Sequence, residues 1–209
     1  MVFRLNSDLI FPDPALAEAD GLLAVGGDLR AERLLLAYRN GIFPWPSEGQ
    51  PLVWYSPPER FVLFPQKLQV SSSMQRLLKQ GRFRITVNTA FEQVIAACSS
   101  IQRKGQPGTW ITAEMKEAYI RLHALGHAWS VEAWEGDLLA GGFYGVVVGS
   151  VFCGESMFSN RSNASKAAFI YFVQHNTFRL IDCQVHTAHL ESLGAEHISR
   201  SSYLEYLIP

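Results

Sequence analysis

Residues 138–158 read LLAGGFYGVVVGSVFCGESMF, two long apolar runs separated by the dipeptide Gly149-Ser150. A third apolar run, residues 128–134, precedes them and is separated from them by Gly136-Asp137. Dipeptides of this kind are typical of hairpin turns, and runs rich in Val, Phe and Tyr favour strands. The sequence therefore predicts a three-stranded antiparallel meander at the centre of the fold.

Helices and further strands are predicted on both sides of the meander. Apolar spacing predicts helices over 73–80, 90–101, 113–125 and 164–175, and strands over 61–64, 83–87 and 180–185. Thr112 is expected to cap the third of these helices. This mixture of elements predicts the α+β class with a mixed, largely antiparallel sheet flanked by helices.

The first sixty residues differ from the rest, because proline and glycine cluster there around one short helix. That helix is predicted from Ala31 to Arg39, with Asp28 as its cap and Gly41 at its end. Trp45, Trp54 and Tyr55 stand in or near the proline-rich loops that follow, with Trp110 near a later loop. Their rings could stack on a nucleic-acid base or pack in the core. We expect a small α/β domain over 1–60 and a larger domain over 61–209.

Charge and cysteine content restrict the classes of partner and compartment. The chain has 18 basic and 19 acidic residues, so nucleic-acid contact has to depend on a local patch. Arg76 and Lys79 lie on one basic helix, although such a helix is more often a solvated surface. No apolar run is long enough to span a membrane, no signal segment is apparent, and three widely spaced cysteines suit a reducing compartment. A cytoplasmic location is expected.

Three familiar site motifs are incomplete. The stretch 154–158, GESMF, lacks the second glycine of a serine-hydrolase elbow. His123 and His127 have the spacing of metal ligands on a helix, but alanine follows the first histidine where zinc proteases carry glutamate. Cys183 and His186 could act as a thiol and its base, although their separation across a strand end does not define a geometry.

Polar side chains interrupt two of the apolar strands. Alternation places Asp182 and Gln184 on one face of their strand, as either a cleft-facing pair or an exposed face. Glu155 is expected on the same face as Cys153 and Met157, where a carboxylate needs a cation or an opening to a pocket. Ligand contact and a structural ion pair both remain open for Glu155.

Beyond these features, ordered blocks along nearly the whole chain resemble those of the leucyl/phenylalanyl-tRNA–protein transferase family. The blocks are GGDL at 26–29, GIFPW at 41–45, WYSP at 54–57, GTWIT at 108–112, FCGESMFS at 152–159, NASK at 163–166, IDCQV at 181–185 and SLGA at 192–195. The resemblance implies a small N-terminal domain packed on an acetyltransferase-like (GNAT-like) domain.

The resemblance also implies an activity. Such an enzyme transfers leucine, also phenylalanine and less well methionine, from aminoacyl-tRNA to the α-amino group of proteins with N-terminal Lys or Arg. The product is marked for N-end-rule degradation. No cofactor or metal is expected, because the aminoacyl ester is already activated. The expected partners are the 3′ acceptor end of Leu-tRNA or Phe-tRNA and the acceptor protein, without a membrane, and the enzyme is expected to be a monomer.

Site residues follow from the same resemblance. Trp45 and Trp110 are expected to stack on the terminal adenosine. An apolar pocket for the carried side chain is expected around Phe152, Met157, Gly154 and Phe143, the last of which stands where a relative carries methionine.

Polar roles complete the predicted site. Asp182 is expected to orient Gln184, whose carbonyl accepts a hydrogen from the incoming amine, and as a second role to help hold the acceptor's basic side chain. Glu155 is expected to bind either the carried amino group or that side chain. Arg76 and Lys79 are the candidates for tRNA phosphates. The stretch 186–189, HTAH, departs from the Asn-Asp-His of relatives, so no asparagine role transfers there.

Two rival functions are consistent with the same fold. One is an acyl-CoA-dependent N-acetyltransferase, for which the chain lacks a convincing glycine-rich pyrophosphate loop. The other is a non-catalytic module that binds tRNA ends or basic N-termini, since fold alone does not determine activity.

Overall fold

A computed structural model describes residues 2–45, 49–101 and 111–208. It has the α+β architecture with two sheets. The smaller sheet has the order β1-β2-β4-β3 and lies within the first 55 residues. Its strands are β1 (Phe3–Leu5), β2 (Leu22–Gly26), β3 (Phe43–Pro44) and β4 (Val53–Tyr55). Among the described residues, no helix is both long and apolar enough to cross a membrane.

The larger sheet has seven strands in the order β11-β5-β10-β9-β8-β7-β6. They are β5 (Glu59–Leu63), β6 (Arg84–Val87), β7 (Ala128–Glu135), β8 (Leu138–Val148), β9 (Val151–Ser159), β10 (Leu180–Gln184) and β11 (Glu196–Ser199). Neighbouring strands are antiparallel except β9 and β10, which run parallel. The predicted meander is confirmed as β7-β8-β9.

The α-helices are α1 (Ala31–Arg39), α2 (Ser72–Lys79), α3 (Phe91–Ser100), α4 (Ala113–Ala124), α5 (Ala164–His175), α6 (Ala188–Glu191) and α7 (Arg200–Leu207), with short 3₁₀ helices at Pro14–Leu16 and Pro65–Lys67. Thr112 caps α4 as predicted, since its side chain accepts a hydrogen bond from the amide of Met115. The predicted cap of α1 is wrong. Arg30 occupies the cap position, while the Asp28 carboxylate accepts hydrogen bonds from the amide and the guanidinium of Arg30.

Two hydrophobic clusters cover the opposite faces of the large sheet. On one face α5 packs against Phe143, Phe152 and Ile181. On the other face α3 and α4 pack against residues that include Tyr144 and Cys153. Because Phe152 and Cys153 are adjacent in sequence and belong to different clusters, the alternation of the strand separates the two sides of the core.

The sequence pattern does not predict the small sheet. Its strands have two to five residues, too few for an alternating pattern to be detected. Trp54 lies on β4 and is fully buried, with its ring 4.9 Å from that of Phe11 and its indole N–H donating to the carbonyl of Gly26. Of the two interpretations of this ring, core packing is therefore the one that the structure supports.

A cleft opens where β9 and β10 diverge. The two strands pair only over residues 151–153 of β9, after which β9 continues to Ser159 while β10 ends at Gln184. Opposite β8, Tyr144 pairs with Ser156 and Gly145 with Gly154, so Glu155 is the extra residue of a β-bulge.

The bulge changes which side chains share a face of β9. Glu155 lies on the side of Cys153, whereas Met157 packs with the cluster on the opposite face. The prediction that Glu155 shares a face with both residues is therefore right for Cys153 and wrong for Met157. An extra residue in the strand reverses the alternation beyond it.

Candidate functional site

The cleft between β9 and β10 leads into a cavity of about 680 Å³. Eight of the predicted site residues line it: Trp45, Phe143, Phe152, Gly154, Glu155, Met157, Asp182 and Gln184. Trp110 lies outside the described residues. Arg76 and Lys79 are exposed on α2 and do not line the cavity.

The floor of the cavity is aromatic. The ring of Phe143 lies 5.9 Å from that of Phe152, 5.7 Å from that of Phe169 and 5.5 Å from that of Phe172. Phe143 and Phe152 are almost completely buried, while Met157 is partly accessible. A floor of this kind binds an apolar side chain by removing it from water and offers it no hydrogen-bond partner.

Glu155 stands at the polar end of the same cavity. Its Oε1 atom accepts hydrogen bonds from the Tyr38 hydroxyl and from Nε2 of Gln184, both at 2.7 Å. Its Oε2 atom accepts one from the Tyr119 hydroxyl at 3.1 Å, and the two hydroxyls also contact each other. Burial raises the pKa of Glu155 to about 7, even though these donors favour the ionised form.

Asp182 lies next to Glu155 and its partners but has very different partners of its own. Its carboxylate is fully buried and pairs with the guanidinium of Arg60, with Nη2 2.8 Å from Oδ2 and Nε 3.0 Å from Oδ1. The Tyr203 hydroxyl donates to Oδ2 and the amide of Gln184 donates to Oδ1, each at 2.8 Å. Because every lone pair has a donor and no surface is exposed, an acceptor side chain has no access to Asp182 without displacing Arg60.

The conformation of Gln184 depends on both acidic groups. Its backbone has φ of 60°, an unfavourable value for a residue with a side chain, and its amide is held by Asp182. Its side-chain Nε2 donates to Glu155, so the attached carbonyl oxygen is directed away from that carboxylate. Gln184 can therefore offer a fixed hydrogen-bond acceptor in the cavity.

Trp45 forms part of the wall on the side of the small sheet. Its ring centroid lies 6.1 Å from that of Phe43 and 6.3 Å from that of Tyr55. These neighbours hold the indole at the cavity while leaving it partly exposed. A partly exposed, supported ring is suited to stacking against a base.

The alternative site motifs are not assembled. Burial raises the pKa of the Cys183 thiol, and the His186 ring is instead 3.0 Å from a carboxylate oxygen of Glu191. The ring of His123 stacks on Phe91 at 4.3 Å, and its Nδ1 atom contacts the carbonyl of Ala128. These residues serve packing and local hydrogen bonding rather than nucleophilic or metal chemistry.

Sequence reasoning missed four residues of the site: Tyr38, Tyr119, Arg60 and Tyr203. Tyr38 and Tyr119 stand on helices that read as ordinary amphipathic segments, and Tyr203 lies on the last helix. Arg60 is the second residue of the apolar strand β5. The unusual signal was Arg60, since an arginine beside a buried strand needs a carboxylate partner. Nothing in the linear sequence identifies Asp182, 122 positions away, as that partner.

Family models match both regions of the chain. A family model for leucyl/phenylalanyl-tRNA protein transferase matches residues 62–208, and a model for the N-terminal domain of the same family matches residues 27–58. The chain belongs to the leucyl/phenylalanyl-tRNA–protein transferase family. It is therefore an enzyme of the aminoacyltransferase class.

Relatives match along the whole length of the chain. The leucyl/phenylalanyl-tRNA–protein transferase of Anaeromyxobacter sp. is 54% identical, covering 99% of this chain and 89% of the relative. Those of Desulfatibacillum aliphaticivorans and Christiangramia forsetii are 55% and 52% identical, each over 99% of this chain, covering 90% and 100% of their own lengths. This transferase thus shares both of its sequence regions with them.

Proposed function

We propose that this transferase moves leucine, and also phenylalanine and less well methionine, from aminoacyl-tRNA to the α-amino group of proteins with N-terminal Lys or Arg. One observation carries the proposal. An apolar cavity with an aromatic floor has Trp45 on its wall and the polar pair Glu155 and Gln184 at its end. An aminoacyl-adenosine has the matching order of parts: an apolar side chain, an ester and a base.

The carried side chain enters the floor formed by Phe143, Phe152 and Met157, with the backbone of Gly154 beside it. A β-carbon at Gly154 would lie 3.3 Å from the carbonyl oxygen of Asp182 and would narrow the cleft. A polar side chain would lose its water without replacement there, which favours rejection of polar amino acids. A change of one methylene is worth only about 1–3 kcal/mol, so leucine, phenylalanine and methionine are all accepted to some degree.

The adenosine of the acceptor end stacks on Trp45, and Trp110 is proposed as the second ring. Arg76 and Lys79 on α2 contact tRNA phosphates away from the cavity. These contacts place the ester between the aromatic floor and Gln184. Holding the two reactants in this order supplies much of the catalysis, because the ester itself is already activated.

In the reaction, the acceptor α-amine attacks the ester carbonyl carbon and the ribose oxygen leaves. The Gln184 carbonyl accepts one N–H of the amine and aligns its lone pair. Asp182 acts through the backbone of Gln184 and is a positioning residue, since its carboxylate contacts Arg60, Tyr203 and the Gln184 amide. Glu155 faces a cationic group of the substrates, either the carried ammonium or the basic side chain of the acceptor.

The fold of the large domain, the domain boundary and the location of the enzyme form part of the proposal. The large domain is acetyltransferase-like (GNAT-like), supported by the divergence of the parallel strands β9 and β10 around the cavity. The division into domains 1–60 and 61–209 is supported by family matches that end at residue 58 and begin at residue 62. We further propose a monomer that acts in the cytoplasm, where aminoacyl-tRNA is used, and that marks its products for N-end-rule degradation.

Transfer of labelled leucine from Leu-tRNA to two peptides tests the proposal. One peptide begins with Arg and the other with Ala, and the enzymes are wild type, Trp45→Ala and Trp129→Ala. Trp129 packs against Phe178 and does not line the cavity, so it serves as the matched control.

We expect label on the Arg peptide alone, a loss of at least about tenfold in kcat/KM with Trp45→Ala, and near-normal transfer with Trp129→Ala. Equal labelling of both peptides would contradict the acceptor rule. Binding of Leu-tRNA without any product would favour a non-catalytic module, and acetylation of the peptides from acetyl-CoA would favour the N-acetyltransferase.

A further inference from the structure

Three oxygen-bearing side chains meet behind the polar end of the cavity: Tyr38 of α1, Tyr119 of α4 and Glu155 of β9. Each contacts the other two, with Tyr38 at Oε1 of Glu155, Tyr119 at Oε2 and the two hydroxyls against each other. Both tyrosines are almost completely buried. The three groups therefore form a closed ring of hydrogen bonds whose only described outlet is the cavity-lining carboxylate.

The hydrogen-bonded ring can hold two or three protons. When Glu155 is ionised, the two phenols supply two protons for three contacts, so one contact lacks a proton of its own. One added proton completes the ring: Oε2 donates to Tyr119, Tyr119 donates to Tyr38, and Tyr38 donates to Oε1. Oε1 still accepts from Gln184 in both states. The ring takes up a proton without losing any hydrogen bond.

We infer that Tyr38, Tyr119 and Glu155 form a proton-accepting cluster, in which Glu155 removes the proton that the acceptor α-ammonium must lose before it can attack. This inference rests on the transfer reaction proposed above. The two tyrosines are positioning residues, since they act on the substrate only through Glu155. Gln184 links the cluster to the reacting atoms, because its side-chain Nε2 donates to Glu155 and its side-chain carbonyl, directed away from that carboxylate, can accept from the amine.

The proton movements balance. The α-ammonium gives one proton to the Glu155 carboxylate, directly or through one water molecule, and becomes the neutral amine. The amine forms the C–N bond to the ester carbonyl carbon. The resulting nitrogen loses its second proton to the ribose oxygen as the C–O bond breaks. After the products leave, Glu155 releases its proton to solvent, so the net change is the single proton that the ammonium loses.

The surroundings of the cluster suit this exchange. Burial raises the pKa of Glu155 to about 7, close to the roughly 7.7–8.0 of an α-amino group, so the proton is transferred across a small difference. Within residues 2–45, 49–101 and 111–208, Glu155 has no ion pair with Lys or Arg. The groups acting on the cluster are the Asp182 carboxylate, which is paired with Arg60, together with Gln184, Cys153 and Tyr144.

The test measures the single-turnover rate of leucine transfer to a saturating Arg-peptide between about pH 6 and about pH 9, corrected for spontaneous ester hydrolysis. The variants are Glu155→Gln, Tyr38→Phe and Tyr119→Phe, which keep the shape of each side chain. The control is Tyr206→Phe, whose ring packs against Phe64 outside the cavity. Thermal unfolding of each variant shows that it is folded.

For the wild type, we expect a rate that falls below about pH 7 as the cluster fills with protons. Glu155→Gln should lose at least about tenfold at pH 6.5 but no more than about threefold at pH 9, where the peptide amine is already neutral. Tyr38→Phe and Tyr119→Phe each remove a donor that favours the ionised carboxylate, so they should move the acid limb to higher pH. Tyr206→Phe should leave the profile unchanged.

A loss by the same factor at every pH in Glu155→Gln, or an unmoved acid limb in both tyrosine variants, would overturn the cluster. That result would leave Glu155 as a substrate-binding group and the tyrosines as packing residues. Failure of the transfer reaction itself has a different signature, because the wild type would then give no product at any pH.

Discussion

Two carboxylates stand side by side in this enzyme, and their surroundings differ. Asp182 is fully buried against the guanidinium of Arg60, and burial opposes the charge of that guanidinium while Asp182 raises its pKa. Glu155 has the neutral partners Tyr38, Tyr119 and Gln184 and lines the cavity. Asp182 therefore stands in a buried ion pair, whereas Glu155 has neutral donors and burial raises its pKa to about 7.

The largest effect on stability is expected from removing the cation of the Arg60–Asp182 ion pair. Arg60→Met leaves the buried Asp182 carboxylate without its partner and should lower the free energy of unfolding by about 3–5 kcal/mol. Urea denaturation at pH 7 measures the change. The double variant Arg60→Met/Asp182→Leu removes both charges and should recover most of the stability while remaining inactive. A loss below about 1 kcal/mol in the single variant would show that the pair contributes little.

A second experiment tests how the ionisation of Glu155 affects stability. The pKa of Glu155 is about 7 in the folded protein, against an ordinary value of 4.5. Between these two values the folded state binds more protons than the unfolded state, so this group's contribution to stability decreases as the pH rises and is fully lost above about pH 7.

Glu155→Gln should therefore gain stability relative to the wild type across that interval, by roughly 2–4 kcal/mol in total. Denaturation of both proteins at several pH values isolates the effect, because other titrating groups are common to the two. A difference that does not change with pH would show that folding does not raise the pKa of Glu155.

A change in the aromatic floor of the cavity should alter the choice of substrate without altering the two carboxylates. Phe143→Met replaces a rigid ring in the aromatic floor by a flexible chain. The ratio of kcat/KM for phenylalanine over kcat/KM for leucine should rise by about fivefold, which corresponds to about 1 kcal/mol. Competition between Leu-tRNA and Phe-tRNA measures the ratio. Phe178→Met alters a ring outside the cavity and should leave it unchanged. An equal change in rate with both substrates would show that Phe143 supports the fold and does not select the carried amino acid.

The smallest effect is expected on α2, away from both carboxylates. Arg76→Ala and Lys79→Ala should each weaken tRNA binding slightly and reduce the dependence of log affinity on log salt by about one ion. The wild-type slope itself should be shallow for a chain of net charge −1. Titration of tRNA at several salt concentrations tests this, with Lys116→Ala on α4 as a comparison. A wild-type slope equivalent to six or more ions would contradict the proposed contact set.

The prediction of the elements succeeded where the segments were long. The strands of the meander and helices α3, α4 and α5 were found to within a residue or two, because their apolar patterns extend over 8 to 12 residues. The small sheet was missed because β1, β3 and β4 are too short to show alternation. The cap of α1 was wrong because Asp28 bonds to Arg30 instead of opening the helix.

The sequence by itself determined the class of fold, the family, and the apolar residue types that line the cavity. Local patterns and ordered motifs report these properties directly. Only the tertiary structure decided the states of the polar groups, since Tyr38, Arg60 and Tyr119 are far in sequence from the carboxylates that they contact. A one-residue bulge at Glu155 likewise reversed the faces of β9. Burial and partners set the charge of an acidic side chain, and both arise from contacts that a linear pattern does not contain.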